Sequence, residues 1–232
     1  GADALNKGGN AIDAAIACAF ALNVVEPWMC GLGGSGYILI WLAKTKEMKV
    51  IDFLVILPKS ISFEDYPIDN NLPETIMGFP GVQNQENILG YKSITVPGAV
   101  AGLSMALDNY GTLGIDSILS KTIDLAERGL PVDWITTLQI ALESKELSKF
   151  EESCNIYLPK GFPPNPEQYI SLGNLSKTLR IISEKGANEF YNGKLAEEIS
   201  NDLKTGGSRI TKEDLSSYKP ELIEPLSFNY KG

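Results

Sequence analysis

The 232-residue chain contains no histidine. That excludes Ser-His-Asp and Cys-His catalysis within it, and metal sites built on imidazole with them. Any chemistry must use carboxylates, lysine, tyrosine or an amine-activated nucleophile, or must come from polypeptide outside these residues. Cysteine is scarce and odd in number: Cys18, Cys30 and Cys154 fit neither a disulfide framework nor zinc-site spacing. Cys18, inside an apolar segment, reads as a small core residue. No apolar run reaches the ~20 residues that cross a bilayer, so no membrane span is expected. Internal repeats, low-complexity tracts and linker composition are also missing, and residues 1–232 read as a single domain able to bury roughly 70–75% of its unfolded surface. The net charge of −9 argues against nucleic acid or an anionic membrane as partner. No secretory signal is visible in these residues, and because Gly1-Ala-Asp-Ala-Leu-Asn-Lys already reads as helix, the sequence is expected to be a precursor truncated at both ends, which leaves the compartment unassigned.

What is present is organised around residues 8–42, GGNAIDAAIACAFALNVVEPWMCGLGGSGYILIWL, which read as helix, glycine-rich loop and strand. Asn10 is a good N-cap, with Asp13 in capping-box position. From Ala11 to Leu22 only Asp13 is polar, which predicts a helix buried all round. The Glu26-Pro27 step ends it. Gly31, Gly33 and Gly36 fit G-x-G-x-x-G, but that pattern holds a dinucleotide only between a preceding strand and a following helix, and here the order is reversed. The glycines instead predict a tight entry into a strand pressed against another backbone.

Residues 37–42 and 48–56 flank a polar turn and predict an antiparallel hairpin over 36–56. Both strands are apolar on both faces, which implies a sheet covered on both sides. Pro58 ends the second strand, and the proline-rich, polar 59–91 read as a long loop. Helices are predicted over 99–109, 115–128, 134–147, 174–185 and 194–204, most of them followed by glycine; Ile115, Ile118, Leu119, Thr122, Leu125 and Ala126 share one face of the second. Residues 151–173, with four prolines, read as irregular. Thr211-Lys-Glu-Asp214 is a capping box opening a short helix toward Tyr218, and 225–232 read as a strand. The carboxylates form no acid–base pair. Asp13 reads as a helix cap, while Asp52, in an apolar strand, needs hydrogen-bond partners and is expected to orient nearby backbone.

GGNAIDAA and GLGGSGYILIW, TVPGAVAGLSMALDNYG at 95–111, ERGLPV at 127–132, GANEFYNGKLAEEI at 186–199 and GGSRITKEDLSSY at 206–218 together resemble, in order and spacing, the gamma-glutamyltransferases and their relatives among the N-terminal-nucleophile (Ntn) hydrolases. The resemblance implies an α+β fold: part of an Ntn-hydrolase αββα sandwich with a large helical layer. It also implies a self-cleaving precursor whose nucleophilic threonine opens the C-terminal small subunit, with its new amine as base, so no catalytic residue is expected in this chain. The implied partners are that small subunit and a small-molecule gamma-glutamyl or acyl-amide substrate; no metal and no cofactor are implied. A cephalosporin-acylase-type amidohydrolase and a catalytically silent binding protein are the alternatives.

One functional position is expected within the chain. In the transferases an arginine, in a run resembling I-D-F-R-E-x-x-P, grips the substrate's alpha-carboxylate. Here the run is Ile51-Asp52-Phe53-Leu54-Val55-Ile56-Leu57-Pro58, so Leu54 stands in the arginine's place and Val55 in the glutamate's. A charge-assisted bond of this kind contributes about 1.5–3 kcal/mol, and its loss weakens binding roughly ten- to more than a hundredfold. The substrate's acyl end is therefore expected to differ from free gamma-glutamyl, or another cation replaces the arginine. Lys59 is the nearest, though lysine and arginine are not equivalent there. The plainer alternative is that Leu54 is a core residue.

Overall fold

The computed structural model describes residues 1–74 and 77–231. Thr75 and Ile76, in the predicted long loop, and Gly232, in the predicted last strand, lie outside them. The elements follow in the order α1 (Ala2–Asn6), α2 (Ala11–Val25), β1 (Tyr37–Leu42), β2 (Glu47–Asp52), α3 (Ala99–Tyr110), α4 (Ile115–Arg128), β3 (Leu130–Pro131), α5 (Trp134–Leu142), α6 (Ser144–Leu147), α7 (Glu151–Tyr157), β4 (Tyr169–Ile170), α8 (Leu175–Lys185), α9 (Asn188–Asn192), α10 (Lys194–Thr205), α11 (Lys212–Ser217) and β5 (Glu221–Ile223). Among the described residues, 59–91 hold two short 3-10 turns, the start of a third and the isolated Ile68–Val82 bridge, in keeping with the predicted long loop.

The start of α2 is fixed by the predicted capping box. The Asn10 side chain accepts from the Ile12 and Asp13 amides (2.7 and 3.2 Å), and Asp13 takes back the Asn10 N–H at 2.7 Å. The same Asp13 carboxylate, fully buried, also accepts from the Thr112 amide and hydroxyl (2.9 and 2.7 Å) and the Leu113 amide (2.9 Å) in the α3–α4 turn. Asn10 in turn donates to the Tyr110 carbonyl at 2.7 Å. Burial raises the Asp13 pKa, but the hydrogen bonds from Leu113, Thr112 and Asn10 outweigh it and hold the carboxyl below the usual range.

α2 is not buried all round. Ile16, Phe20 and Val24 enter the core beside α3 and α4, while Ala11, Ala15, Cys18 and Leu22, one helical face, are exposed. Cys18 is therefore not a core residue. Neighbouring helices cover one side only, and three of the four outward side chains are small, so little apolar area meets water.

The sheet is antiparallel in the order β1-β2-β5, with Tyr37 opposite Asp52, Leu39 opposite Val50, and Val50 opposite Ile223. Alternation sends Ile40 and Ile51 into the core and leaves Tyr37, Leu39 and Trp41 exposed on the other face. Within this chain the sheet is thus covered on one side, not both. β2 stops at Asp52 rather than residue 56, although Phe53 still donates to the Gly36 carbonyl (3.0 Å) and Ile56 bridges Val96.

The 115–128 helix has the predicted bounds, ended by Gly129 at φ +95°. The 134–147 helix is broken at Glu143 into α5 and α6. The 151–173 stretch is less irregular than predicted: 151–157 form α7, before the proline cluster begins, and Tyr169–Ile170 pair with β3. α9 is too short for periodicity to reveal. The last strand is 221–223, ahead of Pro225, which lacks the donor a ladder needs. No helix among the described residues is long and apolar enough to cross a membrane.

Replacing Asp13 by alanine strands four donors in the interior and should lower the unfolding free energy by about 2–4 kcal/mol in denaturant titration. The depressed pKa also fixes the sign of a pH effect. The stability it contributes is present above the unfolded value of about 3.9 and is lost as pH falls through the lower folded value. Asp13→Asn should therefore show a shallower acid loss than wild type.

Candidate functional site

Leu54 follows β2 where three segments meet: the Gly31–Gly36 loop, the N-terminus of α3 and the end of α11. The preceding Phe53 is buried because glycines make room for its ring. A Cβ at Gly36 would lie 3.1 Å from the ring, and one at Gly102 would overlap it. A Cβ at Gly98 would overlap the Phe53 carbonyl and the Tyr218 hydroxyl. The Gly34 carbonyl accepts from the Gly98 and Ala99 amides at 3.0 and 2.9 Å. These first free donors of α3, which could otherwise hold an anion, are spent on the loop. The glycine-rich loop thus does what its helix–loop–strand order predicts: it packs backbone on backbone.

The backbone of 54–60 is held by local contacts and by residues 149 to 164 positions further along the chain. The Leu54 amide donates to Asp52 Oδ1 at 2.9 Å, the orienting role expected of Asp52. The Leu54 carbonyl accepts from the Tyr218 hydroxyl, also at 2.9 Å. Ile56 and Val96 exchange both backbone hydrogen bonds, at 3.3 and 2.9 Å. The Lys59 amide donates to Asp214 Oδ1 at 3.0 Å, and Ser60 Oγ donates to the Arg209 carbonyl at 3.3 Å.

These clamps are themselves supported. Tyr218 stacks on Tyr191 (ring centroids 5.7 Å apart, planes 16° apart). The Tyr191 hydroxyl donates to the Pro97 carbonyl at 3.0 Å and accepts from the Ala101 amide at 3.1 Å. Burial, then the charges of Asp52 and Glu221, push the Tyr218 phenol up to about 12, so it stays protonated and keeps donating. Asp214, which also caps α11 through the predicted box with Thr211, is raised by burial but carried below the usual range by the Lys59 amide and Thr211.

With both backbone groups held, the Leu54 side chain is 42% exposed; within this chain it is not a core residue. Lys59, the cation expected to lie nearest position 54, has its Nζ 3.7 Å from Glu213 in an exposed pair. The three arginines are engaged elsewhere: Arg128 over the Tyr169 ring, Arg180 with Glu127 and Arg209 with Asp65. Among the described residues no three His, Cys, Asp or Glu side chains gather as a metal site. Tyr191, Tyr218 and the second role of Asp214 had no sequence signal beyond the capping box, because each acts across a long sequence separation.

The Gamma-glutamyltranspeptidase family profile matches residues 1–232. The chain is 34% identical over its whole length to the glutathione hydrolase proenzyme of Bacillus subtilis (strain 168), of which it spans 38%. It superposes on the crystal structure of Helicobacter pylori gamma-glutamyltranspeptidase with a TM-score of 0.87 at 33% identity, covering 99% of this chain and 63% of that one. It superposes on the cephalosporin acylase from Bacillus halodurans with a TM-score of 0.85 at 30% identity, covering 99% of this chain and 42% of that one. The fold is accordingly α+β, the Ntn-hydrolase arrangement of these structures.

Tyr218→Phe removes one hydrogen bond and should cost about 1 kcal/mol of stability. Asp214→Ala also uncaps α11 and should cost about 2–3 kcal/mol. Amide hydrogen exchange should speed up at Lys59 in the Asp214 variant and stay unchanged there in the Tyr218 variant.

Proposed function

The chain belongs to the gamma-glutamyltranspeptidase family, and we propose that it is the N-terminal part of an amide hydrolase or acyltransferase working through an acyl-threonine ester. In this reading the threonine lies in polypeptide outside these residues, as the longer proenzyme relatives suggest. Its hydroxyl attacks the amide carbonyl, and its own free amine takes the proton and passes it to the departing amine. The C–N bond breaks as the ester C–O bond forms. Water or an acceptor amine then cleaves the ester, returning the hydroxyl to threonine. That mechanism needs no histidine, in keeping with a chain that has none. The exposed face of Tyr37, Leu39 and Trp41 would be covered by the small subunit. The reading rests above all on the end-to-end family match.

The substrate-binding wall supplied here would be the 54–57 segment, with Leu54 nearest the acyl group. An apolar Leu54 and Val55 in place of arginine and glutamate favour a second reading inside the same chemistry: an acylase like the cephalosporin acylase, rather than a transferase of free gamma-glutamyl groups. A leucine there sets a substrate carboxylate against an apolar wall, which costs binding.

Expression of the full reading frame should give two complementary bands on a denaturing gel, appearing with time and abolished when the threonine opening the small subunit is changed to alanine. A persistently single band contradicts the enzyme reading. In the processed protein, Leu54→Arg should raise kcat/KM for a gamma-glutamyl anilide by about tenfold or more. Equal rates for variant and wild type contradict the assignment of position 54.

A further inference from the structure

Beyond the Ile56–Val96 bridge lies a cavity of about 350 Å³, bounded by Leu57, Ile61, Phe63 and Ile94 among others. It begins where the Leu54 wall ends: Leu57 is the next residue after Ile56, and Thr95 the one before Val96. Leu54, Ile56, Leu57 and Ile94 are all exposed large apolar side chains, and the cavity begins at Leu57, three residues beyond position 54.

Four of the six polar side chains at the cavity wall, all but Asn87 and Thr95, bond or pair with the protein itself. The Tyr66 hydroxyl donates to the Lys92 carbonyl at 2.8 Å, and Ser93 Oγ donates to the Gly90 carbonyl at 2.7 Å. Ser62 Oγ accepts from the Glu64 amide, and the Lys92 ammonium is paired with Glu86 at 2.8 Å. A site meant for an alpha-amino acid head would present uncommitted charges of both signs. This one offers hydrocarbon, a paired lysine and the uncharged Asn87 and Thr95, and its volume lies in the range of small-molecule pockets.

We propose that this cavity is the acyl pocket of the site, and that the substrate is an amide of an apolar alkyl or aryl carboxylic acid whose chain runs along Leu54 and Leu57. This inference rests on the amidohydrolase reading above. It goes beyond that reading in naming the acyl class and the residues that select it, and Leu57 becomes a specificity-determining residue.

The test uses the full-length protein and a series of para-nitroanilides: gamma-glutamyl, acetyl, butyryl, hexanoyl and octanoyl. Release of nitroaniline should rise with chain length, kcat/KM growing by up to about fourfold per methylene until the cavity is filled. Leu57→Asp, at an exposed position that folding tolerates, should flatten that slope. Phe63→Glu, on a still more exposed side chain at the same wall, is the second variant and should flatten it too. Autoprocessing on a gel confirms that either variant has folded. A processed enzyme that prefers the gamma-glutamyl anilide and ignores chain length overturns the acyl pocket and leaves the amidohydrolase reading standing. A slope unchanged in both variants also overturns it. A precursor that neither processes nor cleaves any anilide overturns both.

Discussion

One buried carboxylate carries much of the architecture. Asp13 accepts hydrogen bonds from the first turn of its own helix and from the Thr112–Leu113 turn about a hundred residues later, so the start of α2 and the start of α4 are fixed to a single point. A charge out of water is costly unless each lone pair is used. Here backbone and hydroxyl donors surround it, and the cost becomes a strict geometric requirement. With α2 held at that end, its other end delivers the chain through Pro27 and the glycine loop into β1.

The site inherits that order. Gly34 docks its carbonyl on the first turn of α3, Phe53 fills the space left by three glycines, and the segment after β2 emerges at a fixed place. α11 then grips the emerging strand end from the other side through Tyr218 and Asp214. The hydrogen bonds that hold Leu54 fall on its backbone. The 42% exposed side chain projects from a backbone that is held independently of it, so a substitution at position 54 should leave the frame in place.

Local signals were legible in the sequence. The capping boxes at Asn10–Asp13 and Thr211–Asp214 and the bounds of α4 follow from short-range physics, and so does the hairpin. The expectation that Leu54 stands in the arginine's place came from a motif resemblance, not from periodicity. What remained hidden was of three kinds. α7 and α9 are short, and a nearby run of prolines dominated the reading of 151–173. The burial of α2 and of the sheet was overestimated because composition reports how apolar a segment is, not how many neighbours it has within a given chain. The Tyr218–Leu54 bond joins residues 164 apart and leaves no local pattern at all.

The open face of the sheet has a colloidal consequence. Three large hydrocarbon and aromatic side chains in alternate positions make a flat adhesive surface, and on its own this polypeptide would be kept dispersed chiefly by the mutual repulsion of an acidic exterior with net charge −9. That repulsion reaches about 10 Å at 0.1 M salt and only about 3 Å at 1 M. Concentrated salt would thus strip away the repulsion while strengthening the adhesion, so that handling the isolated chain becomes a matter of ionic strength before it is one of temperature.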